Sequence, residues 1–425
     1  MTTEEPQEGG ADMGLRERAA ELYRPAMQVP FTLQEYQDRV AKVRESMSRS
    51  KIDLLYCSSP VSLFYLSGYQ NMWYQGECPL DWPPLSGLAI HRDADKIIFF
   101  DRPREEIITR TYTLGADIRI RTFEMESKIS ELDFIIKTLK EEGWLKGTVG
   151  LEKLSHRPNP AVSKIFQDAL EKEGCRVVNG SDIVRQMRAV KSSQEMAYVR
   201  TAARIADIGM KAAIHCIKAG MTELDIRAEI LYAVTKAGGE VTGLPIQVMA
   251  GTRTACGHAM ATRHVIMPQD MIYIDICGVY HRYHCNTMRM VSMGKPHPEV
   301  AQQMKLSVGA WEILTKTLKP NLRMGEFNRT IRTYYKEAGL WDDRRWIGGY
   351  DIGIAFPPDW VGVWYYEAED DANDRVICPG TVFNYESQIY LPQGAGLSNV
   401  IDTIEVDEER CKIMSELPPD LIVVE

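Results

Sequence analysis

The stretch MIYIDICGVYHRYHCNTMRMVSM, residues 271–293, holds a strand, MIYIDICGVY, and a returning strand, NTMRMVSM. In the first, Ile272, Ile274 and Ile276 share one face and Tyr273, Asp275 and Cys277 the other, the period of two that a strand imposes. The isoleucines make a packing face, which turns the Asp275 carboxylate toward a cavity. Between the strands, HRYH supplies His281 and His284. These are ligand-type residues, but on a strand they point to opposite faces and converge only across a turn.

Upstream, residues 193–218 (SQEMAYVRTAARIADIGMKAAIHCIK) read as a long amphipathic helix ending near Gly220. Thr222 opens a second helix, LDIRAEILYAVTKA, stopped by Gly238 and Gly239. Downstream, VAQQMKLSVGAWEILTKTL and MGEFNRTIRTYYKEAG are a second helix pair, followed by the strands VFNYESQIY and NVIDTIEVD. A helix pair followed by a strand pair thus occurs twice, which predicts an internally duplicated α+β domain. In VFNYESQIY, alternation places Asn384, Glu386, Gln388 and Tyr390 on one face, with Phe383, Tyr385, Ser387 and Ile389 on the other. A polar face on a core strand is costly unless it lines a site or a hydrogen-bonded network.

The first part of the chain has a different rhythm. IDLLYCSS, LSGLAIH, KIIFFD, TVGLEKL and CRVVNG read as strands, and KISELDFIIKTLKEEGWL as a helix. Thr32 is placed to cap FTLQEYQDRVAKVRESMSRS, where Val40, Val43 and Met47 fall at helical spacing. This alternation predicts an α/β domain with a largely covered sheet. Residues 1–28 carry no hydrophobic period and read as a mobile arm. The expected organisation is therefore an arm (1–28), an N-terminal α/β domain (29–188) and a C-terminal α+β domain (189–425).

Of the 425 residues, 44% are hydrophobic and 26% charged, a balance that supports a large buried core. The net charge of −9, with no Lys/Arg cluster interleaved with aromatics, offers nucleic acid no basic surface. No apolar run approaches the roughly 18 residues a membrane span needs. The N-terminal MTTEEPQEGGADMG is unlike a secretory leader. Nine cysteines without a CxxC pair argue against a disulfide framework and for a reducing cytoplasm.

Five segments in order, AGTRTACGHAMATRH, YIDICGVYHRYHCNTMR, GGYDIGIAFPPDW, FNYESQIY and SNVIDTIEV, resemble those of the creatinase/aminopeptidase P group. That resemblance spans about residues 30–415 and implies a creatinase-like N-terminal α/β domain before a catalytic domain of the pita-bread fold. Metallopeptidases of the group hold two divalent ions with two Asp, one His and two Glu. Carried over position by position, Asp275 matches the first Asp, but Asn286 stands at the second and Tyr350 at the His. Glu386 matches the first Glu, whereas Ile401 stands at the last, with Asp402 one residue out of phase and so on the opposite face. Two carboxylates do not balance two divalent cations. The set implies no cofactor or, as runner-up, one divalent transition metal held by Asp275, Glu386, His258 and His284.

The resemblance also suggests chemistry without metal, because creatinase is a metal-free member. His258 falls in the segment that carries creatinase's acid/base histidine. An imidazole titrating near 6.5 takes a proton from water and returns it to a leaving nitrogen; a satisfied loop histidine is the plainer alternative. Tyr350 lies in GGYDIGIAFPPDW, read as a loop and similar to that of ectoine hydrolase-like members. It would donate to a developing oxyanion, or else be a core tyrosine bonded to backbone. Creatinase's second histidine and one of its acids fall on Tyr350 and Met288, so the creatine reaction does not transfer intact. Cys256, Cys277 and Cys285 read as small hydrophobes before nucleophiles. Asn286, Asp359 and Trp360 are expected to bind substrate. So are Tyr69 and Trp73, in the aromatic run GYQNMWYQGECPLDWPP, whose faces suit a cation and which similar proteins bring to the neighbouring subunit's site; interdomain packing is the alternative.

The leading expectation is a metal-independent hydrolase that cleaves a C–N bond in an ectoine-, creatine- or related amidine- or guanidine-type compound. His258, Glu386, Tyr350 and Asp275 are its expected catalytic residues. Two competing readings are a metal-dependent Xaa-Pro peptidase or dimethylsulfoniopropionate lyase-like enzyme with a rebuilt metal site, and a catalytically silent binding protein. The expected partners are a small-molecule substrate and a second copy of the chain, with neither nucleic acid nor membrane.

Overall fold

The computed structural model describes residues 14–72 and 85–425. The chain divides into two compact units, Met1–Arg185 and Gln186–Glu425. The first begins with α1 (Leu15–Leu22), in a stretch that lacks a hydrophobic period and was expected to be a mobile arm. Its sequence LRERAAEL is built of strong helix formers, and Arg16 lies 3.7 Å over the Phe123 ring, a tertiary contact that a helix this short needs. Then follow α2 (Leu33–Ser50), β1 (Leu54–Cys57), α3 (Pro60–Ser67), β2 (Gly87–His91), β3 (Ile97–Asp101), α4 (Glu106–Tyr112) and β4 (Asp117–Ile120). The unit continues through α5 (Phe123–Glu126), α6 (Glu131–Glu141), β5 (Thr148–Leu151), α7 (Pro160–Lys172), β6 (Arg176–Asn179) and α8 (Ser181–Arg185). Thr32 caps α2 as expected, accepting from the Glu35 N–H. The mixed six-stranded sheet has the order β4-β3-β2-β1-β5-β6. Tyr56, Ile98, Phe100 and Val149 pack there against Ile135, Leu139, Phe166 and Leu170 of α6 and α7.

The second unit opens with α9 (Ser193–Cys216) and α10 (Glu223–Lys236). Each starts on a capping box, Ser192 with Glu195 and Thr222 with Asp225. Strands β7 (Gln247–Ala250), β8 (Met271–Tyr280) and β9 (Tyr283–Met293) follow. Next come α11 (Pro298–Thr317), β10 (Leu322–Arg323), α12 (Met324–Glu337), β11 (Arg344–Ile352), β12 (Val361–Glu367) and β13 (Val376–Ile377). The chain ends in β14 (Val382–Tyr390), β15 (Leu397–Val406), β16 (Cys411–Ile413) and β17 (Ile422–Val424). Strands β8 and β9 reverse through His281 and Arg282, both left-handed (φ 46° and 63°), as a two-residue hairpin requires. The Glu240 carboxylate accepts from both of their backbone N–H groups.

The large sheet runs β12-β11-β14-β15-β9-β8-β7, with β16 on β15 and β17 on β9. Its centre reads β11-β14-β15 against β7-β8-β9 in mirrored order, the arrangement a duplicated helix-pair, strand-pair unit produces. The halves meet at one seam, where Ile401 and Asp402 of β15 pair with Met288 and Thr287 of β9. Ile272, Ile274 and Ile276 pack with Ile205, Ile226 and Ile230 of α9 and α10. Phe383 and Tyr385 pack with Phe327 of α12, and Tyr385 also with Trp311 of α11. The register Asp275–Met288–Ile401–Glu386 puts both acids on the sheet face turned away from the helices.

GGYDIG is not a loop. Gly348, Gly349, Tyr350 and Asp351 lie on β11 between β12 and β14, because backbone pairing tolerates glycine where neighbouring strands approach closely. At Gly278 a Cβ would stand 1.9 Å from the Ala202 carbonyl oxygen, so the absent side chain lets α9 lie directly on β8. Among the described residues no helix is long and apolar enough to cross a membrane.

Candidate active site

Asp275 and Glu386 form the floor of the site, 4% and 6% exposed. Asp275 Oδ1 accepts from Asn286 Nδ2 at 2.5 Å, and Asn286 Oδ1 accepts from Asn384 Nδ2 at 3.0 Å. Thr403 completes this layer: its hydroxyl accepts from the Asn286 N–H and lies 2.9 Å from both Asn286 O and Asn384 Oδ1, which share its one proton. Glu386 Oε1 accepts from Gln388 Nε2 (2.5 Å) and Asn399 Nδ2 (2.9 Å). Among the described residues neither Asp275 Oδ2 nor Glu386 Oε2 has a hydrogen-bond donor, which leaves one oxygen of each acid for a ligand or water.

Burial pushes Asp275 up to about 7; the Asn286 hydrogen bond opposes the shift and the Glu386 charge adds to it. Burial likewise raises Glu386, while the Gln388 and Asn399 amides and the charges of His258 and Arg345 pull it back. Tyr350 is held well above the ordinary phenol range by burial and by the Glu386 and Asp275 charges, so it stays a hydroxyl donor at neutral pH. Trp360 Nε1 donates to the Tyr350 oxygen at 3.0 Å, leaving the phenol proton free to point elsewhere.

His258 is exposed and left-handed (φ 74°) in the loop between β7 and β8. A positive charge on its imidazole favours the ionised form of Glu386. Arg345 also faces Glu386 and lies over the same loop, where a Cβ at Gly257 would stand 2.2 Å from its guanidinium. Sequence reasoning missed Arg345. It is one of two adjacent arginines ahead of a glycine pair, and only the β11–β14 pairing brings it to the acid strand.

Other expected residues sit elsewhere. Tyr69 is 4% exposed inside the first unit, donating to Asp101 Oδ2 at 2.6 Å and packing on Phe99, so it is a core residue and no cation wall. Trp73 lies outside the described residues. His284 is wholly buried and its ring is fully used, Nδ1 against Arg282 O and Nε2 accepting from Gly243 N–H, both at 2.9 Å. Burial and Arg282 push it down to about 3, and it is no metal ligand as placed. Asn286 has no exposed surface and supports Asp275 instead of meeting substrate. Asp359 caps its own turn, accepting from Trp360 and Val361 N–H. Trp360, 2% exposed, orients Tyr350. Cys277 and Cys285 are buried, with thiols raised by burial, and Cys256 is exposed. Asp402 occupies the opposite face as expected, paired with Arg289 at 3.0 Å where neither side chain is exposed.

Residues 39–190 match the creatinase/prolidase N-terminal domain, and residues 197–408 match metallopeptidase family M24. Ectoine hydrolase of Halomonas elongata is 25% identical over 93% of this chain and 98% of its own. Xaa-Pro dipeptidase of Pyrococcus furiosus is 22% identical over 91% of this chain and 99% of its own. Among solved structures, a Xaa-Pro dipeptidase from Bacillus anthracis superposes with a TM-score of 0.76 at 20% identity, covering 92% of this chain and 100% of that one.

These matches correct the expectation of no cofactor, because a metallopeptidase family with Xaa-Pro dipeptidases among the relatives points to a metal. The donor set at hand fits one poorly. Among the described residues no three His, Cys, Asp or Glu side chains gather, Asn286 is spent on Asp275, and the hydrophobic Ile401 stands directly across from Glu386. The chain belongs to the creatinase/aminopeptidase P family, with a creatinase N-terminal domain and a pita-bread M24 domain.

Proposed function

With that membership as premise, we propose that the protein hydrolyses a C–N bond in a small polar nitrogen compound of the ectoine, creatine or related amidine or guanidine type. The carrying observation is that Asp275 and Glu386 share one sheet face by register, each with one carboxylate oxygen open, and that the buried Tyr350 phenol lies close enough to feel both charges. Acceptor oxygens with no donor suit the N–H groups of an amidinium or guanidinium. The likeness to ectoine hydrolase along nearly the whole chain supports the same substrate class.

In this reading His258 takes a proton from water while the oxygen attacks the carbon of the C–N bond. Tyr350 donates to the charge that develops on the attacked group. Asp275 and Glu386 hold the cationic nitrogens and orient the water. The imidazolium then returns its proton to the departing nitrogen, so that water is divided between a new C–O and a new N–H bond. The dipeptidase relatives favour a peptide C–N bond as the second reading. The experiment is a panel of ectoine, creatine, dimethylsulfoniopropionate and Xaa-Pro dipeptides, with products identified by mass and with divalent metal both added and chelated. Turnover of ectoine or creatine supports the first reading, and turnover of dipeptides alone replaces it with the second. Turnover of none favours a binding protein.

A homodimer and a cytoplasmic location belong to the same proposal. Sedimentation at the 48.3 kDa monomer mass removes the dimer. The described cysteines are all free, in keeping with a reducing compartment, and cell fractionation tests the location.

A further inference from the structure

We propose that Glu223, in the first turn of α10, is the positioning residue that sets the His258 loop; this rests on the assignment of proton transfer to His258. The loop leaves β7 after Ala250, makes one short helical turn (Gly251–Ala255) and carries His258 before the chain reaches β8. Glu223 has no exposed surface, and both carboxylate oxygens are filled by this segment. Oε1 accepts from the Ala250 N–H at 3.0 Å and from Arg253 Nε at 2.9 Å. Oε2 accepts from the Thr262 N–H at 2.8 Å and from the Thr262 hydroxyl at 2.9 Å.

Ala250 stands just before the loop and Thr262 just after its apex, so one carboxylate closes the base. Arg253 extends the clamp by donating to Met260 O at 2.9 Å, two residues past His258. The helix backbone adds to it, with Glu223 N–H donating to His264 O and Leu224 N–H to Thr262 O. On the far side, Thr254 Oγ1 accepts from the Leu397 N–H of β15 at 3.2 Å.

Four donors converge on two oxygens, a demand that a carboxylate meets and a carboxamide does not, since its NH2 would face a pair of donors. The start of α10 and Arg253 supply positive charge that offsets burial of the anion. The chemistry therefore depends on a group that touches no reacting atom. His258 holds a left-handed conformation that is unfavourable for a non-glycine residue, and a free loop would relax it.

The test uses the full-length chain and a substrate turned over in the panel above. E223Q is expected to lower kcat roughly tenfold or more with little change in KM, and to shift the pH profile of kcat/KM. Amide hydrogen exchange is expected to rise in peptides covering 250–262 and to stay unchanged over β8. In an H258A background, E223Q is expected to change kcat less than about twofold, because the two residues act as a unit. Should E223Q fail to fold, R253A, at a partly exposed side chain, is expected to raise exchange in the same peptides and to lower kcat about threefold or more. Unchanged exchange in the loop overturns the proposal, as does an equal loss of kcat with and without His258. An unaltered rate in H258A alone removes the proton-transfer assignment, and the exchange data then decide the clamp independently.

Discussion

At the scale of single residues the site is governed by which polar atoms are already satisfied. Tyr350 keeps its proton because burial and two neighbouring acids raise its pKa, and Trp360 fills its acceptor side. Tyr350→Phe is therefore expected to lower kcat by roughly 10²-fold with a near-normal KM, measured by steady-state kinetics on the active substrate. His284 makes a different prediction. Its neutral ring accepts from Gly243 N–H, and protonation would set two donors against each other. Because the folded pKa is about 3 and the unfolded value near 6.5, the unfolded chain takes up this proton first as the pH falls. Stability is then lost from pH 6.5 toward pH 3, by about 1.4 kcal/mol per pH unit from this residue. Urea unfolding of His284→Asn across that window is expected to show a shallower acid slope than wild type.

Among the elements, a tight demand falls where α9 crosses β8. Gly278→Ala forces the helix off the sheet at the Ala202 carbonyl, and a destabilisation of at least ~2 kcal/mol is expected, read as a thermal shift of several degrees. The helix pairs were legible from apolar spacing, and β8 and β14 from alternation, which set Asp275 and Glu386 each off the packing face of its own strand; that the two acids share a sheet face follows only from the β9–β15 register. β11 and β12 were not legible, because RRWIGGYDI opens with two arginines and breaks its alternation with two glycines. Its strand character comes from the neighbours that flank it on both sides. The same limit explains Tyr69 and His284. Their residue types suit a site, but burial is a property of the tertiary fold, and inside the core each is already hydrogen-bonded.

For the whole molecule, two units with separate cores predict that residues 186–425 fold alone. A cooperative thermal transition of that fragment, followed by circular dichroism, is the expected result, and a non-cooperative melt counts against it. The two halves of the large sheet are a subtler matter. Hairpins β8–β9 and β14–β15 close over short distances along the chain, whereas β9 meets β15 across more than a hundred residues. Closing so long a loop is entropically slow compared with forming a hairpin. Asp275 stands on one side of that seam and Glu386 on the other, so neither half owns a working site. On dilution from denaturant, helix and strand signals should therefore recover before turnover does. The newly made protein would pass through an interval in which it is largely structured and chemically inert.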